Sequence, residues 1–161
     1  MPFRRAVVRK GRDVRHSKTH GRLKLERTIM KPGFEPGIVR EITITVTEAM
    51  CPAFDGVVVH RCYSTWSVAH HMELAARRVL VDFLEDDEEG VGSHVSVDHL
   101  APCGVGKTVR VRAELVEVIA DRHVRVICDV TAYDGDRLLA KGKQVQVVMN
   151  KEKLKQLIER S

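Results

Sequence analysis

The sequence predicts an α+β domain in which an antiparallel sheet wraps one long helix. Three observations carry this. A single long helical stretch follows one strand-like run. Four more strand-like runs come after it, separated by turn signals. No internal repeat breaks the order. A chain of 161 residues suits one such domain with a real core.

Taken in order, Lys31-Pro32-Gly33-Phe34-Glu35-Pro36-Gly37 reads as a loop, so the domain is expected to span 32–161. Arg40–Thr47 alternates strictly and reads as a strand. Met50–Val58 holds Pro52 and Asp55-Gly56 and is expected to be irregular. A helix is expected from Ser64 or Ser67 to Leu84, ended by the acidic run Glu85–Glu89 and Gly90. The later strands are expected at Val91–Leu100, Thr108–Ile119, Val124–Tyr133 and Leu138–Met149. Pro102 with Gly104 and Gly106, then Asp121-Arg122, then Asp134-Gly135-Asp136 mark the turns between them. Lys151–Arg160 can close the chain as a short helix.

The net charge of +5 is unevenly placed. Residues 1–31 hold 11 Lys/Arg against 2 Asp/Glu, and residues 32–161 hold 16 against 20. The basic character belongs to a tail without periodicity, and the domain is mildly acidic. Such a tail reads as disordered, as a surface arm, or as residues preceding a natural start at Met30. Without helical periodicity it cannot make a helix-turn-helix, so nucleic acid is not the expected partner. His16 and His20 are spaced as helical metal ligands, but no carboxylate or cysteine nearby completes a site. No metal and no cofactor is expected. No apolar run reaches the roughly 20 residues that span a bilayer. Cys51, Cys62, Cys103 and Cys128 form no C-x-x-C pair, which fits reduced thiols in the cytoplasm.

On a helical wheel, Leu80 and Leu84 fall within about 20° of Glu73 and Ala69 within about 40°. His71, Arg78 and Asp82 fall on the opposite, solvent-facing side. Glu73 thus interrupts an apolar stripe. A carboxylate there needs a partner or a task, because burying it unpaired is costly. The task would be that of a general base or nucleophile. The plainer reading is an ion pair with Arg77 at i+4 or a contact with His70 at i−3. His70 and Glu73 also match a two-ligand metal pattern, which lacks further ligands. Thr65 stands at the helix entrance, where it competes with Ser64 and Ser67 for the cap. Eight residues of helix rise about 12 Å. Thr65 and Glu73 therefore meet only if Thr65 folds back before the helix or the pair spans two subunits.

In the run Val91–Leu100, Val95, Val97 and His99 point to one face. His99 then ends a buried strand, either as a hydrogen-bonded core histidine or as a working group. Gly90 and Gly92 precede it and mark a turn or a close backbone approach to a ligand.

Thr65, Glu73 and His99 stand 8 and then 26 residues apart, with Gly92 seven before the histidine. That order resembles the fluoroacetyl-CoA thioesterase family of hotdog proteins. Thr47–Gly56 through Thr65 resembles its approach to the helix, His71–Arg77 its central helix, and Val95–Pro102 its histidine strand. The resemblance runs from Met30 to about residue 150. It implies a hotdog fold, an edge-to-edge homodimer or a higher homo-oligomer, and hydrolysis of an acyl-CoA at sites near the subunit interface. It also implies Thr65, Glu73 and His99 as the catalytic group, with the Gly92 N–H on the thioester carbonyl. One departure stands out. The halo-specific member carries Gly-x-His-x-Arg on its last strand, where this chain has Gly142-Lys143-Gln144-Val145-Gln146. A fluorinated acyl group is therefore not the expected substrate. The rival expectations are a non-catalytic acyl-CoA-binding or regulatory hotdog module, and a hydratase or dehydratase of the same fold.

Overall fold

The structure is a computed structural model that describes residues 30–161. The expectations for the basic tail and for His16 and His20 fall on residues 1–29 and lie outside it. Met30, the first described residue, is buried, and Lys31 N donates to Phe83 O at 3.1 Å.

The elements run β1 (Val39–Thr45), a 3₁₀ turn (Glu48–Met50), β2 (Ala53–Phe54), β3 (Val57–Val58), α1 (Thr65–Leu80) and a second 3₁₀ turn (Val81–Phe83). Then follow β4 (Glu88–Val95), β5 (Asp98–His99), β6 (Thr108–Ala120), β7 (Val124–Asp134), β8 (Arg137–Asn150) and α2 (Lys151–Glu159). The main sheet is antiparallel, in the order β1-β6-β7-β8-β4, with β5 also paired to β8. It curls around α1, as the sequence predicts.

Period-two burial shows how the sheet holds the helix. Val109, Val111, Ala113 and Leu115 of β6, with Val126, Cys128, Val130 and Ala132 of β7, are buried against Val68, Met72, Ala75, Ala76, Val79 and Leu80 of α1. Each large apolar side chain in this layer is worth roughly 1.5–3 kcal/mol of burial. Burial also pushes the Cys128 thiol up to about 12, so it packs as an inert apolar group.

The structure corrects the reading in four places. Met50–Val58 holds a small hairpin, because Asp55 and Gly56 both take positive φ (51° and 82°) and close a tight turn. The helix stops at Leu80, and the 3₁₀ turn leads into the acidic run, whose end already belongs to β4. The histidine strand is broken into β4 and β5. A register shift between Gly92 and His94 resets its alternation and leaves Val95 39% exposed. Finally, the buried arc of α1 is centred near Met72, about 100° round from Glu73. His71 therefore lies inside, 8% exposed, and Glu73 stands exposed at the margin. The wheel misled because Leu84, one of its anchors, lies beyond the helix end.

Candidate active site

Ser64 caps α1: its hydroxyl accepts from Ser67 N at 3.3 Å and donates to Ser67 Oγ at 2.8 Å. That leaves Thr65 as the first helical residue, with its side chain free for another task. The fold-back alternative is excluded, since Thr65 is already in the helix. Thr65 Oγ1 lies 3.0 Å from His99 Nδ1. β5 holds His99 in place by pairing it with Ala140 of β8, and Leu100 N donates to Leu139 O at 2.8 Å beside it. The other ring nitrogen, His99 Nε2, is buried without a hydrogen-bond partner.

Near the start of α1, Tyr63 and His71 form a buried pair. The Tyr63 hydroxyl is 2.7 Å from His71 Nδ1 and 3.3 Å from Ser67 O. Burial, and then the neighbouring His70, hold His71 below the ordinary histidine range, and burial pushes the Tyr63 hydroxyl up. Beside Thr65, Trp66 meets Phe54 of the hairpin edge-on at 5.5 Å, and both rings are exposed.

Glu73 lies two turns along α1. The expected ion pair with Arg77 does not form. Arg77 binds Glu89 at 2.8 Å and donates to Gly90 O at 3.2 Å. Burial works against the ionised Glu89, but the Arg77 bond, the Gly90 N–H and the charges of Arg77 and Lys151 together outweigh it and hold that carboxyl below its usual range. Glu73 has no hydrogen bond or ion pair among the described residues. Its carboxylate lies directly over Gly92, where any Cβ would collide with Oε1. Helix and strand approach this closely because residue 92 lacks a side chain. Glu73, Gly92, Ser93, His94 and Val95 line a cleft of about 250 Å³. Ser93, the extra residue of the irregular step, anchors to Val145 O at 3.2 Å.

One chain therefore brings together Thr65 with His99, and Glu73 with Gly92. It does not bring the two pairs together, since about two turns of helix separate them. Sequence reasoning missed Ser93, His94 and Val95 as cleft walls, because their exposure comes from the irregular step in β4. Nothing in the local sequence except Gly92 signals that step. Among the described residues no group of three or more metal-ligating side chains occurs, and no helix is long and apolar enough to cross a membrane.

Comparison with known proteins places this geometry in a family. The family model for fluoroacetyl-CoA-specific thioesterase matches residues 46–152. A Thermus thermophilus hypothetical protein, a thioesterase superfamily member, is 34% identical with a TM-score of 0.75; the match covers 80% of this chain and 93% of that one. A variant of fluoroacetyl-CoA-specific thioesterase FlK in complex with fluoroacetate and CoA is 25% identical with a TM-score of 0.67, over 74% of this chain and 98% of that one. A hot-dog-like protein from Thermanaerovibrio acidaminovorans shares the fold at 23% identity and a TM-score of 0.72, over 79% and 92% of the two chains. Among curated proteins, none matches. The helix-wrapping sheet and the match across two thirds of the sequence lead to one assignment: this chain belongs to the fluoroacetyl-CoA-specific thioesterase family of hotdog-fold proteins.

Proposed function

We propose that the protein is an acyl-CoA thioesterase that hydrolyses a small acyl-CoA to the free acid and CoA, working as a homodimer in the cytoplasm. The observation that carries this is the Glu73 carboxylate, without a hydrogen bond or ion pair among the described residues, lying over the backbone of Gly92 on a chain of a thioesterase family. The complex of FlK with fluoroacetate and CoA supports an acyl-CoA as substrate.

The thioester carbonyl lies against the Gly92 N–H, which stabilises the developing oxyanion. Glu73 removes a proton from the attacking water, or attacks directly to give an anhydride that water then opens. The C–S bond breaks, and His99 carries the proton that the departing thiolate takes up. The Thr65 hydroxyl, 3.0 Å from Nδ1, fixes the His99 ring for that transfer. The positive end of the α1 dipole favours the negative charge that develops beside Thr65.

Two half-sites per chain favour a site shared between subunits. β4 is an edge strand of the sheet, and its Gly92–Val95 segment carries both the cleft and an open side. A second copy joined through β4 sets Glu73 of one protomer toward Thr65 and His99 of the other. The four free thiols fit a reducing compartment.

The test is a panel of short acyl-CoAs read by free-thiol release, with the oligomeric state measured alongside. Turnover of at least one member is expected. Binding of acyl-CoA with no thiol release across the panel would favour the non-catalytic binding module instead.

A further inference from the structure

Among the buried residues of the sheet, only two neighbouring side chains on β8 are polar. Gln144 and Gln146 are 1% and 2% exposed and point the same way as Val148, toward α1. Valine or leucine there would complete the apolar layer. Each glutamine instead buries a carboxamide oxygen that has no hydrogen-bond partner. Such burial is unfavourable unless something else supplies the missing donor. The amide of Gln144 is oriented by its own nitrogen, since Nε2 donates to Val145 O at 3.2 Å. Its oxygen is therefore a fixed, vacant acceptor.

The position of Gln144 says what that acceptor is for. Gln144 Nε2 is 3.7 Å from the point where a Cβ on residue 92 would stand, and the Glu73 carboxylate occupies the same point. Gln144 is thus behind the cleft in which the thioester carbonyl is proposed to sit. Gln146 is one step further in, beside Gly90 and Leu80. An acyl chain running inward from Gly92 meets the Gln144 carboxamide, whose oxygen lacks a hydrogen-bond partner and whose Nε2 already donates to Val145 O. A plain alkyl group leaves that oxygen unpaired, whereas a hydroxyl satisfies it.

We propose that Gln144 is a specificity residue whose carboxamide oxygen accepts a hydrogen bond from a hydroxyl on a short acyl chain, so that hydroxyacyl thioesters are the preferred substrates. This rests on the thioesterase reading above. Gln146, beside Gly90 and Leu80, offers a second acceptor one step further along the same face of β8.

The test compares hydroxyacetyl-CoA with propionyl-CoA, which differ by a hydroxyl in place of a methyl. The wild type is expected to favour hydroxyacetyl-CoA by at least about tenfold in kcat/KM, since a site built around a hydrogen bond rejects the analogue that lacks it. Gln144→Met keeps length and volume but loses the acceptor, and should bring the ratio to within about threefold of unity. Gln144→Leu gives the same reading if the methionine variant does not fold. A wild type that treats both substrates alike, or a preference that survives in the variants, would overturn the proposal and point to buried water as the missing donor. If the wider panel is hydrolysed and this ratio is flat, the specificity inference alone fails. If no acyl-CoA is hydrolysed, the thioesterase reading fails with it.

Discussion

Arg77 reaches across to Glu89 on β4 at 2.8 Å, and so leaves Glu73, one turn back on the same helix, without an ion pair among the described residues. The carboxylate is thus available for chemistry. Glu73→Gln and His99→Ala are each expected to lower kcat on a turned-over acyl-CoA by at least about a hundredfold, the usual worth of a general acid or base. Steady-state thiol release measures this, and wild-type rates in both variants would refute the assignment.

Mixing those two variants tests where the site is built. Refolded together, they form mixed dimers in which one site has both mutations and the other has neither. If the site spans two subunits, activity should recover to about a quarter of wild type. If each chain holds a whole site, mixing restores nothing.

Thr65→Val keeps the shape of the side chain but removes the hydroxyl that meets His99 Nδ1 at 3.0 Å. A fall in kcat of at least about tenfold is expected, with most of it recovered in Thr65→Ser. A loss in Thr65→Ser with none in Thr65→Val would mean that the methyl contact matters and the hydrogen bond does not.

The glycines of β4 and β8 should separate function from stability. An alanine at position 92 meets the tip of the flexible Glu73 side chain, so Gly92→Ala should cost activity by at least about tenfold with little loss of melting temperature. An alanine at position 142 collides with the Ser96 backbone carbonyl, which cannot swing aside. Gly142→Ala should cost about 1–3 kcal/mol or more in denaturant unfolding. Equal stability of the two variants would contradict this.

Acid should loosen the packing around the first turns of α1. Burial holds His71 below the ordinary histidine range, so the fold favours its neutral form. This contribution to stability is complete above the unfolded value of about 6.5 and is lost as pH falls through the lower folded value. Urea midpoints measured from pH 7.5 down to 5 should fall more steeply in the wild type than in His71→Gln. Parallel curves would remove His71 from the account.

Much of this was legible in the chain itself. The alternation in Thr108–Ile119 and Val124–Tyr133 gave strands whose observed limits differ by one residue at one end. The spacing of Thr65, Glu73 and His99 supported the family resemblance. The wheel centred on Glu73 was less successful: it put His71 in solvent and Glu73 inside, and the packed helix has them the other way round. An amphipathic pattern gives the period of a helix, but the neighbours it packs against choose the arc.

The sequence by itself determined the order of the long strands and the central helix, most turn positions and the residues able to do acid–base chemistry, because these depend on local propensity and side-chain type. Only the tertiary structure decided that Thr65 meets His99, that Glu73 lies over Gly92, and that Arg77 chooses Glu89. Those choices arise where α1, β4, β5 and β8 pack together, from contacts between residues far apart in the chain, and no local pattern encodes which of several nearby partners a side chain will reach.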